Sequence, residues 1–386
     1  MNNDKIIKFG DIVDISKESV DRENNPYERY IEGGHMDSGW LKISRWGVFG
    51  NDYVGPAFHR IFKKGQILYG SRRTYLKKVA IAEFDGITSN TTFVLTPNGG
   101  GDFNPKLIPY LMLSERFTNH SILNSKGSTN PYVNWSDIAR FPIKKINNSR
   151  QKDILEILQV AEALVFKSEE LLEACEKLKS AYLESVFLPR ENWKELKLQD
   201  ICSIRGGRQR APKYEQGLNP VKYLRPANIK RGKFRADDVK LMDFTCDELN
   251  EYALKKGDVL LVEGGEAEDV GDALYWEYGG EEQFAFQNTL IRLRAYKNKI
   301  TPRMLYWLMV YLHGTGYFIS IAAGTKIKHI GSKNTSQITI CLPQDFNDIN
   351  SGVAFLDELD ALIVTLEVKL SKEKILFQKL INTYLE

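Results

Sequence analysis

The stretch Phe62–Arg73, FKKGQILYGSRR, returns far downstream as Leu254–Gly265, LKKGDVLLVEGG. Each copy places Lys-Lys-Gly before a polar residue and an apolar run that ends in a short loop. A glycine turn feeding a buried strand is the pattern predicted for both. The loops then part: the first is basic, whereas the second continues as EGGEAEDVGD with five acids in ten residues.

The echo belongs to a longer series. Gly65 and Gly257 are 192 residues apart, TSNTTFVL (Thr88–Leu95) and FQNTLIRL (Phe286–Leu293) 198, and FNPKLIPYLM (Phe103–Met112) and ITPRMLYWLM (Ile300–Met309) 197. KGSTNPYVNWSDI (Lys126–Ile138) faces AGTKIKHIGSKNT (Ala323–Thr335) at 197, and KLKSAYLE matches KLINTYLE at 202. Order is kept while the offset drifts by a few residues, as loop insertions produce, so the chain is a tandem duplication.

Each repeat opens strand-rich, with one short helix expected over Pro105–Arg116 or Pro302–Tyr311, a proline starting each. Each then ends in a long helix, the first without Gly or Pro from Ser149 to about Phe187. The expected seams are Ile154, Ile157, Ala161, Leu164, Leu171, Cys175, Leu178, Tyr182 and Leu356, Leu359, Ile363, Leu366, Leu370, Phe377, Leu380, Tyr384. Both step by three and four, the spacing of a coiled coil, interrupted at Ser168 and Glu373. Helices of roughly 35–38 residues reach about 55 Å, longer than a domain of this size, so each is expected to bury its stripe against the other. The expected organisation is α+β: strand-rich domains at 1–148 and 190–349, a central helix at 149–189 and a C-terminal helix at 350–386.

Hydrophobic residues make up 42% and charged residues 27% of the 386, which is ordinary globular composition. No apolar run approaches a membrane span, and the N-terminal residues lack a secretory pattern, which favours the cytoplasm. The four cysteines are dispersed and are expected to be buried apolar residues. A net charge of +3 hides strong segregation: Arg60–Lys78 holds seven Lys/Arg and no acid, and Arg205–Arg235 holds ten against one.

No H-E-x-x-H, phosphate loop or dinucleotide fingerprint occurs. NPYERY (from Asn25) and NPYVNW (from Asn130) superficially resemble an amino-methyltransferase loop, but each lacks the second proline. The acidic stretch carries no calcium pattern. The chain reads as a binder without catalytic apparatus. Lysine and arginine meet duplex phosphates, arginine grips guanine edges, asparagine suits adenine, and a carboxylate accepts from cytosine. The candidate DNA contacts in the first repeat are therefore Arg45, Arg72, Arg73, Tyr75, Lys77, Lys78 and Ser128. In the second they are Arg205, Arg208, Arg210, Arg225, Asn228, Lys230, Arg231, Lys233, Lys326 and Lys328. Glu263 and Glu266 are either base readers or solvated side chains.

With KKGQILYGS and KKGDVLLVEG, then GSTNPYVNWSDIARFPI and GTKIKHIGSKNTSQITICLP, the chain resembles the specificity subunit of type I restriction–modification systems over essentially its whole length. That family's Leu-Arg-x-x-Asn-Ile-x-x-Gly segment stands here as Leu224, Arg225, Asn228, Ile229 and Gly232. Its glycine-rich turn is reduced to Gly127-Ser128-Thr129 and Gly324-Thr325-Lys326, and the usual lead into each helix is degraded to FPIKKINNSRQ and CLPQDFNDIN. The resemblance implies two target recognition domains reading a split DNA sequence, with antiparallel helices as a spacer and pseudo-twofold symmetry. It implies that two modification (methyltransferase) subunits and restriction subunits join, bringing S-adenosylmethionine, ATP and magnesium, while this chain carries no cofactor. The other readings are a specificity subunit of another methylation-based phage-defence system, and a coiled-coil scaffold for protein partners.

Overall fold

A computed structural model describes residues 6–21, 24–50, 54–211, 214, 217, 219–324 and 328–386. It divides into two compact units, Met1–Leu172 with Leu366–Glu386, and Glu173–Thr365.

In the first unit an antiparallel sheet runs Val13–Ser16, Thr92–Pro97, Ile67–Gly70, Val79–Ile81. A second sheet runs Gly47–Val48, Arg29–Ile31, Gly86–Ser89, Phe58–Phe62, with Arg29–Ile31 and Gly86–Ser89 parallel. The second unit repeats the scheme: Cys202–Gly206, Leu290–Ala295, Val259–Val262, Ala273–Tyr275, then Lys240–Asp243, Pro220–Leu224, Phe284–Phe286, again with one parallel pair. The strand after each Lys-Lys-Gly turn is apolar on both faces because it is covered on both. Ile67 and Tyr69 join one hydrophobic cluster while Leu68 joins another; Val259 and Leu261 likewise face away from Leu260 and Val262. The turn repeats for a backbone reason: Gly65 and Gly257 hold φ +90° and +92°, a region that a side chain disfavours. Leu260 is completely buried. Leu260→Ala is expected to cost about 2–5 kcal/mol, read as a lowered midpoint in denaturant unfolding.

The helix expected over Pro105–Arg116 is broken. A helix Ile108–Leu113 stops where Ser114 turns extended, and the Ser114 hydroxyl accepts from Phe117 N–H to cap a new helix Glu115–Leu123. Its counterpart runs unbroken over Pro302–Gly314. The cysteine expectation also needs correction, since Cys175 and Cys202 are buried but Cys246 is exposed and Cys341 partly so. Burial pushes the Cys202 thiol up to about 12.

The central helix spans Asn148–Phe187 and the C-terminal helix Asn347–Leu385. The C-terminal stripe lies where expected, with Leu356, Leu359, Ile363, Leu366, Leu370 and Phe377 all buried. The central stripe does so along one edge only. Ile154 and Cys175 are buried, but Ile157, Leu164, Leu171 and Leu178 are exposed, and the helix instead covers Gln151, Leu155, Leu158, Val165, Ser168, Leu183, Val186 and Phe187. Two three-four stripes compete on this helix, and the one richer in leucine is the outer one. Within the second unit Lys179 pairs with Asp360 at 2.8 Å and the Tyr182 ring meets that of Phe355, tilted, at 4.5 Å, so rising numbers meet falling ones and the helices are antiparallel. Within the first, Glu169 pairs with Lys374 at 2.7 Å. No helix among the described residues is long and apolar enough to cross a membrane.

Candidate nucleic-acid interface

After each repeated strand the backbone follows the same hydrogen-bond scheme. Ser71 N–H donates to Thr91 O at 3.0 Å and Glu263 N–H to Thr289 O at 2.9 Å. Val133 N–H donates to Ser71 O, as Ile330 N–H does to Glu263 O, both at 3.0 Å. Tyr132 bridges Lys126 and Arg72, while His329 bridges Ala323 and pairs with Gly264. Thus Asn130-Pro131-Tyr132, the segment that superficially resembled a catalytic loop, is a brace for the strand end.

In the first unit this frame presents a rigid basic loop. A single turn, Thr74–Leu76, is flanked by Arg73 at φ 49° and Lys77 at φ 48°, both left-handed. Arg73 N–H donates to Pro131 O at 2.7 Å, Lys77 O accepts from Gly39 N–H, and Thr74 is buried. Tyr75, in the middle of that turn, is 54% exposed, and Arg72 just before it is exposed too. Neither Arg72 nor Lys77 has a side-chain partner among the described residues. Arg73 Nε reaches Asn130 Oδ1 at 3.3 Å, Arg45 pairs with Asp37, and Lys78 donates to Met36 O. Ser128 is exposed.

In the second unit the candidates sort differently. Asn228 is 0% exposed; its side chain accepts from Arg225 N–H and donates to Arg235 O, so it shapes the chain and offers nothing to a base. Arg208, 7% exposed, lies between Tyr214 and Phe244 and pairs with Glu248 at 2.6 Å. These two were read as DNA contacts from residue type, and burial corrects both. Arg225 is turned to Asp238 and Arg205 to Glu251, leaving both beside an acid that a phosphate would have to displace. Arg210 and Lys233 are exposed, and Lys328 is half-buried on the strand that pairs with Gly264–Gly265. Lys326 and Thr325 lie outside the described residues.

What residue type missed is the work of the acids. Glu263 is half-buried, and burial raises its carboxyl above the ordinary value despite His329 nearby. Lys230 is raised by its bond to Asp269, and Asp272 is raised by burial although it accepts from the Arg231 and Gly232 N–H groups. Among the described residues no group of three or more His, Cys, Asp or Glu suits a metal. The available signal was an acidic segment and a basic segment within one repeat, complementary in charge.

Two copies of one frame, carrying unlike loops, agree with the family comparison. The profile of the type I restriction modification DNA specificity domain matches residues 2–174 and again 190–374. The chain belongs to that family. Over 142 residues it is 27% identical to the type I restriction enzyme EcoDI specificity subunit of Escherichia coli, covering 37% of this chain and 31% of that protein. The match therefore spans about a third of that curated relative. Its fold is shared with a chain from a study of type I R-M complex assembly and conformational transition, at TM-score 0.61 and 18% identity, covering 99% of this chain and 97% of that one. It is shared also with the S subunit from M. genitalium, at TM-score 0.60 and 16% identity, covering 100% and 97%. In this specificity-family chain each profile match spans one set of the duplicated sheets and their loops and runs on into the long helix that follows.

Proposed function

We propose that this chain is the non-catalytic, sequence-reading subunit of a type I restriction–modification complex in the cytoplasm. Each strand-rich domain reads one half of a bipartite duplex target. The two long helices set the spacing and recruit two modification subunits, which restriction subunits join. The observation that carries this reading is the duplicated hydrogen-bond frame bearing different loops: a basic, left-handed loop at Arg72–Lys78 and, at the same place in the second copy, the acidic loop Glu263–Asp272, which backs the Lys230–Lys233 hairpin. One frame with two reading surfaces is what two unlike half-sites require. Binding to both halves is expected to weaken steeply with salt, since each Lys or Arg on a phosphate releases counterions.

The outer stripe of the central helix supports recruitment. Ile157, Val160, Leu164 and Leu171 are exposed in the first unit, Val160 by 71%, at helical spacing suited to a partner helix. Val160→Asp is expected to leave the fold intact and abolish co-purification of the modification subunit; undiminished capture would remove this face from consideration. The function itself is tested by mapping methyladenine across a genome, in cells that express the modification subunit with and without this chain. A split motif of fixed gap that appears only with this chain is the expected result; unchanged methylation would shift the assignment to a scaffold.

A further inference from the structure

In the second unit the acidic loop that replaces the first unit's basic one is turned inward. Asp269 accepts from Lys230 Nζ at 2.8 Å. The Asp272 carboxylate takes the backbone N–H of Arg231 at 2.7 Å on one oxygen and that of Gly232 at 3.0 Å on the other. Those two residues are the turn joining Ile229–Lys230 to Lys233–Phe234. Both are left-handed, φ 50° and 71°, the two-residue turn whose twist suits a hairpin and which favours Asn or Gly in first place. Here that place holds an arginine. A Cβ on Gly232 would lie 3.0 Å from Tyr306 Oη and 3.3 Å from Ala273 O, so the turn is seated directly on its unit. Arg231 is exposed, and its guanidinium has no hydrogen bond or ion pair among the described residues.

A phosphate contact does not explain this arrangement, because a flexible lysine reaches a phosphate without strain. A planar fork that must align with two acceptors on one base benefits from a fixed origin. Building on the DNA-reading function proposed above, we infer that Arg231 is the specificity-determining residue of the second unit, held for a guanine edge, and that Asp272 is its positioning residue. Both Asp272 oxygens are occupied by the turn, so the acidic segment buttresses the reader and reads nothing through that carboxylate.

The test uses the full chain with its modification subunits and duplexes randomised within each half-site. Arg231→Gly suits the left-handed turn and keeps the fold. It is expected to cost about ten- to a hundred-fold in discrimination at one G·C position of one half-site, with the other half-site unchanged. Asp272→Asn is expected to relax the same position, and to add nothing in the Arg231→Gly background. Asp269→Ala, a surface change, is expected to relax it partially; it stands in if Asp272→Asn loses the first half-site as well and so reports misfolding. Unaltered discrimination in Arg231→Gly, or equal weakening on all sequences, overturns the assignment of Arg231. Additive effects of the two substitutions, or an inert Asp269→Ala where it stands in, overturn the buttress. Absence of any split motif with the unaltered chain would instead refute the DNA-reading function itself.

Discussion

Asp357→Ala is expected to destabilise the second unit by about 2–4 kcal/mol, the cost of orphaning a buried donor and a charged one. Asp357 lies on the C-terminal helix, and one of its oxygens accepts from Trp307 Nε1 at 2.6 Å and from Arg303 Nε at 2.9 Å. Trp307 is 1% exposed, and the Arg303 guanidinium lies over Tyr275 at 4.5 Å and Tyr306 at 5.1 Å. Alanine leaves a buried indole N–H and a largely covered guanidinium without an acceptor, and an orphaned buried donor costs its full desolvation. Asparagine keeps an oxygen in place and is expected to lose less than half as much. Denaturant unfolding of both variants decides the matter; equal losses would mean that the charge, and not the acceptor, carries the contact.

The opposite sign is expected at Glu373. It occupies the seam step between Leu370 and Phe377, is 9% exposed, and its Oε2 has no hydrogen-bond partner. Lys369 approaches the other oxygen at only 3.6 Å, which does little to offset the lost hydration. Glu373→Leu is therefore expected to stabilise the first unit by about 1–4 kcal/mol, the range found when buried charges give way to packed apolar side chains. Ser168, also buried, is the matching interruption on the central helix. A single polar step in an apolar seam fixes register at the expense of stability. The variant's amides over 366–385 should exchange more slowly; faster exchange would show that Glu373 has a compensation not visible in its contacts.

The sheets were legible because their signals are local and doubled. Lys-Lys-Gly marks a positive-φ turn, and three or four successive apolar residues mark a strand covered on both faces; the second copy removes coincidence. The C-terminal seam was legible because its best hydrophobes are the buried ones. The central seam was legible only along the edge of Ile154 and Cys175, since Ile157, Leu164, Leu171 and Leu178 form a heptad as regular as the one that packs, and a sequence does not say which of two stripes meets the partner. The candidate site was legible as a region and not as a set of residues. Residue type cannot distinguish the Arg208 guanidinium, sandwiched between two rings, from that of Arg231, which has no hydrogen bond or ion pair among the described residues. Nor does it reveal that Asp272 is spent on two backbone N–H groups. These depend on which side chain the fold has already engaged.

Of the four non-glycine residues with positive φ among those described, three are Arg73, Lys77 and Arg231. Each conformation costs about 1 kcal/mol that glycine would avoid. Selection for stability alone would therefore favour glycine at these three codons, and a requirement for the side chain is what would oppose it. In lineages where the methylated sequence has ceased to matter, glycine or asparagine should accumulate there before the cores change. Those codons would then record, in a genome never assayed, whether its copy of the gene is still under selection to choose a sequence.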